Sequence, residues 1–235
     1  MNLPKILVCA PTASAKNYCA KDFIENVKSF TYPNYNWYFV DNTLDFGLNK
    51  IYLNEAYGFN ADYCYSKSES VIERMAISHQ MCAEHALQNN YDYILHLETD
   101  VFPPTNVIEQ LLLRKKSVVG ALYHRDEGKF RKLMIQKLAK VSSSTIQSLN
   151  FTPEEEAGFI DGSLKQVASV GLGAVLIHKS VLDRIKFRFV NGKDMHPDSF
   201  FAEDCFMNKI GIFADTSIIC EHRNKAWGVY GKDFF

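Results

Sequence analysis

The 235-residue sequence has no CxxC pair. Its six cysteines stand apart at positions 9, 19, 64, 82, 205 and 220, which excludes zinc ribbons and dithiol redox motifs. Thiols so scattered read as buried side chains in a reducing compartment, and place the protein in the cytoplasm. There is no apolar run near the ~18 residues that span a bilayer. The short run Ile6 to Ala10, bounded by Pro4 and Pro11, is too brief for the apolar segment of a signal peptide and reads as a first strand. Neither sign of charge dominates: 26 Lys and Arg face 27 Asp and Glu, a net of −1, which excludes a general polyanion-binding protein. The seven histidines form no HxH or HExxH pair and no serine lies in GxSxG, so metalloprotease and hydrolase readings have no support. Internal repeats and an interdomain linker are also missing.

What is present is a globular composition, 47% hydrophobic, 13% aromatic and 23% charged, able to bury a full core without staples. The first half alternates short apolar runs with helical spacing. Residues 5–10, 36–40 and 93–97 predict strands, and 18–30 and 69–89 predict helices, the latter with Val71, Ile72, Met75, Ala76, Cys82, Ala83, Ala86 and Leu87 on one stripe. Strand, helix, strand, helix, strand implies a parallel sheet with right-handed crossovers. In the second half, 117–122 and 216–220 predict strands, 167–177 strand or core, and 181–185 and 202–210 helices. Residues 124–140 carry six cationic side chains against two acids. That stretch could dock an anionic acceptor, but reads rather as a solvated helix face, with Phe130, Leu133, Met134 and Leu138 packing beneath it. The serine run 142–144, Pro153 and the acidic triplet 154–156 read as a mobile excursion rather than core. The aromatic stretch from Trp227 to Phe235 is either a lid or an edge.

Three features carry chemistry. Glu98-Thr99-Asp100 directly follows the strand YILHL, at the strand end where parallel α/β sheets bind ligands. Two acids so spaced suit Mg²⁺ or Mn²⁺ completed by diphosphate oxygens, or else cap the following turn. Glu203-Asp204, among apolar neighbours, offers a base with reason for a raised pKa, or a pair stabilised at a helix start. His222 stands just past the strand TSIIC, as a ligand or as a structural side chain. Gly171 and Gly173 permit tight packing or close ligand approach.

The order of these motifs resembles that of GT-A glycosyltransferases, especially the family 2-like group, and the resemblance spans nearly the whole chain. KILVCAPT is similar to the family's first strand and Pro-containing turn, YFVDNTLD to its base-binding strand end, and ESVIERMAISH to its helix bearing a basic residue. NNYDYILHLETDVFPP looks like the DxD segment, VASVGLGAVLIHKSVL the donor-sugar segment, FFAEDCFMNKIGI the ED helix, and DTSIICEH the final metal-binding histidine. The resemblance implies an α/β fold with a mixed, mostly parallel Rossmann-like sheet flanked by helices, in a single domain over 1–235. Within it, 1–122 would bind the nucleotide-sugar, 123–165 would vary on the acceptor side, and 166–235 would form the catalytic half. It implies a hexosyl- or pentosyltransferase using a nucleoside diphosphate sugar, UDP favoured. Pro11, Asp41, Asn42, Arg74, Glu98, Gly171 and Gly173 would line the donor. Asp100, Glu98 and His222 would hold Mn²⁺ or Mg²⁺. Asp204, beside Glu203, would be the base of an inverting transfer to an acceptor glycan, a lipid-linked sugar or a modified nucleic acid.

The sequence departs from the pattern in having Glu98 as the first acid of the triplet and no QxxRW, which argues against a processive polymerase. Transfer to modified DNA bases, a nucleotidyltransferase and a non-catalytic nucleotide-sugar-binding module stay open. Against the nucleotidyltransferase, CAPTASAKN lacks glycine and has only Lys16 to meet phosphate.

Overall fold

The computed structural model describes residues 3–127, 130–138, 148–193 and 195–224. β1 (Ile6–Thr12) runs through a 3-10 turn (Ser14–Cys19) into α1 (Ala20–Lys28), β2 (Tyr35–Asp41), α2 (Leu48–Tyr57), β3 (Ala61–Tyr63), α3 (Val71–Gln88) and β4 (Tyr93–Leu97). β5 (Val101–Phe102), α4 (Val107–Leu113), β6 (Val118–Leu122), β7 (His124–Glu127), β8 (Phe130–Leu133), β9 (Ile135–Leu138) and β10 (Ser148–Asn150) follow. The rest comprises α5 (Pro153–Phe159), β11 (Leu164–Val167), β12 (Ser169–Val170), β13 (Ala174–His178), α6 (Lys179–Leu182), α7 (Pro197–Met207), β14 (Ile212–Ile219) and β15 (Glu221–His222).

Eight strands make the central sheet in the order β11-β14-β6-β13-β4-β1-β2-β3. Every pair from β4 to β3 is parallel, as is β14 with β6, while β13 and β11 run antiparallel to their neighbours. β1 is buried on both faces, and its pleat divides the core. Ile6, Val8 and Ala10 join Phe23, Phe39 and Leu95 on one side; Leu7 and Cys9 join Val40, Cys82 and Ala83 on the other. Pro11 is tolerated in this central strand because pairing with β4 ends at Cys9, so no partner there needs its missing N–H. α3 begins at Ser70, whose hydroxyl accepts from the Glu73 N–H, and buries Ala76, Cys82, Ala83 and Ala86. All six cysteines are buried and free. No helix among the described residues is long and apolar enough to cross a membrane.

Three expectations change. The basic stretch forms strands, not a helix face: β7 pairs with β8, and β9 lies between β10 and β12. In so short a run, alternation and helical spacing select overlapping apolar residues. Ladder pairing decides for strand, with Leu133 and Ile135 buried. Residues 153–159 lie outside the core, with no buried residue, but form a helix, closed by a capping box between Thr152 and Glu155. The helix expected from 202 starts at Pro197, where a proline costs no hydrogen bond. The serine run 142–144, Lys129, Lys140 and the aromatic stretch 227–235 lie outside the described residues.

Candidate functional site

Parallel strands bring their carboxyl ends to one edge of the sheet. Thr12 ends β1, Asp41 ends β2, Glu98 to Asp100 follow β4, Tyr123 follows β6, and Cys220 follows β14. Register keeps His222 there: β15 pairs with β5, His222 opposite Val101, and the Arg223 N–H donates to the Asp100 carbonyl at 3.0 Å. Glu98, Asp100 and His222 thereby offer three ligand atoms within 4.8 Å of one another. Buried Thr12 and Thr99 hydroxyls bond at 3.0 Å, fixing the acidic turn to the end of β1.

Asp100 is fully buried and His222 side-chain exposure is only 6%. The His222 Nδ1–H donates to the His124 carbonyl at 2.8 Å, so the neutral imidazole keeps its lone pair on Nε2. That Nε2 is buried without a hydrogen-bond partner, 3.5 Å from Asp100 Oδ2. Burial pushes the imidazole down, but Asp100 outweighs it and holds His222 above the usual histidine range. Burial likewise pushes the Asp100 carboxyl up; the ammonium of Lys16 and the His222 imidazole outweigh it and hold Asp100 well below the carboxylate range. Lys16, from the 3-10 turn, donates to Asp100 Oδ1 at 2.8 Å and to Glu98 Oε2 at 3.2 Å. Two carboxylates and an unpartnered imidazole nitrogen are a donor set that fits Mn²⁺ or Mg²⁺.

Gly171 and Gly173 make room for Tyr123. A Cβ on Gly173 would lie 2.4 Å from the Tyr123 ring, and one on Gly171 2.2 Å from its hydroxyl oxygen. The Gly173 N–H donates to that hydroxyl at 2.9 Å, and the ring meets His222 edge-on at 5.3 Å. The turn is tied to the acidic strand end through Glu98 N–H to the Gly173 carbonyl, 3.0 Å. It is tied again through His96, which bonds the Leu172 carbonyl while its other ring nitrogen meets His79 at 2.6 Å. Burial pushes His96 down to about 4, so both buried imidazoles are neutral near pH 7. Gly173→Ala is expected to cost about 3 kcal/mol, because a buried ring has nowhere to move. Urea denaturation measures it; a loss below about 1 kcal/mol would mean that the turn yields freely.

Asp41 is buried and its Oδ1 accepts from the Thr43 hydroxyl at 2.7 Å and from Asn49 Nδ2 at 3.0 Å. Its Oδ2 is buried with no partner. Burial pushes this carboxyl up, against the hydrogen bonds of Thr43 and Asn49. Asn42 continues the strand end, its N–H donating to the Thr12 carbonyl at 2.9 Å. Arg74 is buried beside it, its guanidinium engaged by the carbonyls of Asn42 (2.9 Å), Ser68 (2.6 Å) and Glu69 (3.1 Å). The arginine expected to reach a diphosphate thus holds backbone, joining the base-side loop to the entry of α3.

α7 carries the remaining acids. Arg188 clamps Asp204 through Nε and Nη2, at 2.8 and 2.9 Å, and reaches Glu203 at 2.9 Å. Asp198, in the first turn, is on another side of the helix: it lies six positions before Asp204, roughly 120° apart around the axis. Burial pushes the Asp198 carboxyl up; His196 pulls the other way and the charge of Glu98 adds to the rise. Sequence reasoning passed over Lys16 as a site residue, and over Tyr123 and Asp198. Lys16 was visible only as a lone cation after the first strand, and Asp198 as an acid next to a proline. Two clefts of about 310 and 430 Å³ share Lys115, Lys116, Ser117 and Ser180 and lie at the opposite end of the strands, with no residue of the acidic cluster.

The chain thus has a mixed, mostly parallel Rossmann-like sheet with an acid–histidine cluster at its carboxyl edge, and its fold is of the GT-A type. No family model and no curated protein matches the chain. Solved structures do. A197 from STIV aligns over 93% of this chain and 85% of its own, at 14% identity and TM-score 0.50. GalNAc-T7 with UDP, GalNAc and Mn²⁺ aligns over 94% of this chain at 12% identity and TM-score 0.63. S. aureus TarS, residues 1–349 with UDP-GlcNAc, aligns over 93% at 10% identity and TM-score 0.55. The alignments span 44% of the GalNAc-T7 chain and 59% of the TarS chain.

Proposed function

We propose that the chain is a metal-dependent glycosyltransferase that moves a sugar from a nucleoside diphosphate sugar, UDP-sugar favoured, to an acceptor hydroxyl. The observation that carries this is the Glu98, Asp100 and His222 cluster at the carboxyl edge of a GT-A sheet. The ligands in the GalNAc-T7 and TarS structures, UDP and UDP-GlcNAc, support the choice of donor class. Glu98, Asp100 and His222 would hold Mn²⁺ or Mg²⁺, which when bound supplies a Lewis acid against the charge of the leaving nucleoside diphosphate. Asp41 Oδ2, an acceptor without a donor, would take the imide N–H of uracil. Asp198 would take the proton of the attacking hydroxyl, giving inversion. Asp204, favoured by the ED resemblance, is the second reading and requires Arg188 to let go.

Thermal stabilisation by UDP, GDP and CMP, with and without Mn²⁺, tests the donor site, since ligands that bind only the folded state stabilise it by mass action. A Mn²⁺-dependent shift with UDP alone is expected; no shift with any nucleotide sinks the reading. Donor binding without transfer to any acceptor or to water would instead mark a non-catalytic binding module. Asp41→Ala is expected to weaken UDP binding about tenfold, the worth of one hydrogen bond to a charged acceptor. Calorimetric titration measures it, and unchanged affinity would place the base elsewhere.

A further inference from the structure

We propose that the Lys16 ammonium is a built-in counter-ion that must leave the metal ligands when the cation enters, and so couples metal binding to arrival of the donor diphosphate. This rests on the metal reading above and deepens it. Lys16 Nζ lies 2.8 Å from Asp100 Oδ1 and 3.2 Å from Glu98 Oε2, two of the three side chains that would take the cation. The Lys16 and Asp100 side chains are 15% and 0% exposed, so water screens this pair little. A divalent ion therefore binds against a competitor already present.

Local charge sets the direction of coupling. With His222 neutral, as a metal ligand must be, two carboxylates against one ammonium leave a single negative charge at the cluster. Once a divalent ion has neutralised both carboxylates, Lys16 is an extra positive charge at the rim. A diphosphate is the anion that then compensates it. The backbone can stay in place meanwhile: the Lys16 N–H donates to the Ala13 carbonyl at 2.8 Å, and the Cys19 thiol donates to the Lys16 carbonyl at 3.3 Å. Only the flexible four-carbon stem has to swing. Metal alone should thus bind weakly, nucleoside diphosphate alone weakly, and the two together tightly, each raising the other's affinity by the same factor.

Titration calorimetry on the metal-stripped chain tests this with Mn²⁺ alone, UDP alone and each in the presence of the other, in wild type, Lys16→Met and Asp100→Ala. Lys16→Met is expected to bind Mn²⁺ alone about tenfold tighter than wild type, because its competitor is gone. The Mn²⁺–UDP coupling factor should fall from a range of roughly 5–150 towards one. Lys16→Gln, which keeps a donor without the charge, should behave alike; if Lys16→Met folds poorly without metal, Mn²⁺ should raise its Tm more than it raises that of wild type. Mn²⁺ bound by wild type and lost in Asp100→Ala, with Lys16→Met affinity or coupling unchanged, overturns the Lys16 role and leaves the metal site standing. Mn²⁺ bound by none of the three overturns both.

Discussion

Asp100→Ala is expected to lower metal-dependent sugar transfer at least about a thousandfold, equivalent to ~4 kcal/mol of lost charge stabilisation, and to destabilise the fold as well. The catalytic loss follows from position: Asp100 is the fully buried member of the cluster and faces His222 Nε2 with one oxygen and Lys16 with the other. The stability loss follows from what remains, a buried ammonium with Glu98 but without its closest carboxylate. Breaking a buried pair from one side costs about 3 kcal/mol, which in a chain of this size lowers Tm by roughly 6–12 °C. The double variant Lys16→Met with Asp100→Ala separates the two effects, because it removes both charges. It should recover most of the stability and none of the transfer, so the pair couples strongly in stability and not in activity. Transfer rates and melting curves on the four proteins decide this. An Asp100→Ala enzyme within about tenfold of wild type would remove Asp100 from the mechanism.

The parts of this site legible in the sequence are those set by chain position relative to a strand. Asp41, Glu98, Asp100 and His222 each follow an apolar run, and a parallel sheet delivers such residues to one edge whatever lies between them. Gly171 and Gly173 were legible as a place of close approach, but which group approaches depends on Tyr123, a residue marked by no periodicity. Lys16 had no such marker either. It belongs to a short 3-10 turn, and only the pairing of β1 with β4 sets it against Glu98 and Asp100. Arg74 shows the converse. A basic residue at the expected place on the expected helix is drawn to three backbone carbonyls, because a buried guanidinium needs acceptors and that loop supplies them. The strands over the basic stretch were hidden for a different reason, since ladder partners, β8 for β7 and β10 and β12 for β9, decide between two periods that a short run fits equally.

Asp198→Asn is expected to slow transfer about a hundredfold or more, the usual worth of a positioned base, while UDP affinity with Mn²⁺ changes by less than about threefold. Two carboxylates on α7 compete for this role, and the helix separates them. Asp204 turns to Arg188, whose guanidinium engages both of its oxygens, so a proton would be taken up there against an adjacent cation. Asp198 accepts the neighbouring Ser199 N–H at 2.8 Å, and an asparagine there keeps that acceptor while losing basicity. Its carboxyl, pushed up by burial with Glu98 adding to the rise, binds a proton more readily than an ordinary aspartate does. Asp204→Asn should instead stay within about fivefold of wild-type transfer and cost less than about 1 kcal/mol, since its ion pair is partly exposed. Steady-state kinetics with urea denaturation on both variants distinguishes the two acids. Transfer abolished in Asp204→Asn and kept in Asp198→Asn would return the base to the ED pair and make Arg188 the group that masks it until acceptor arrives.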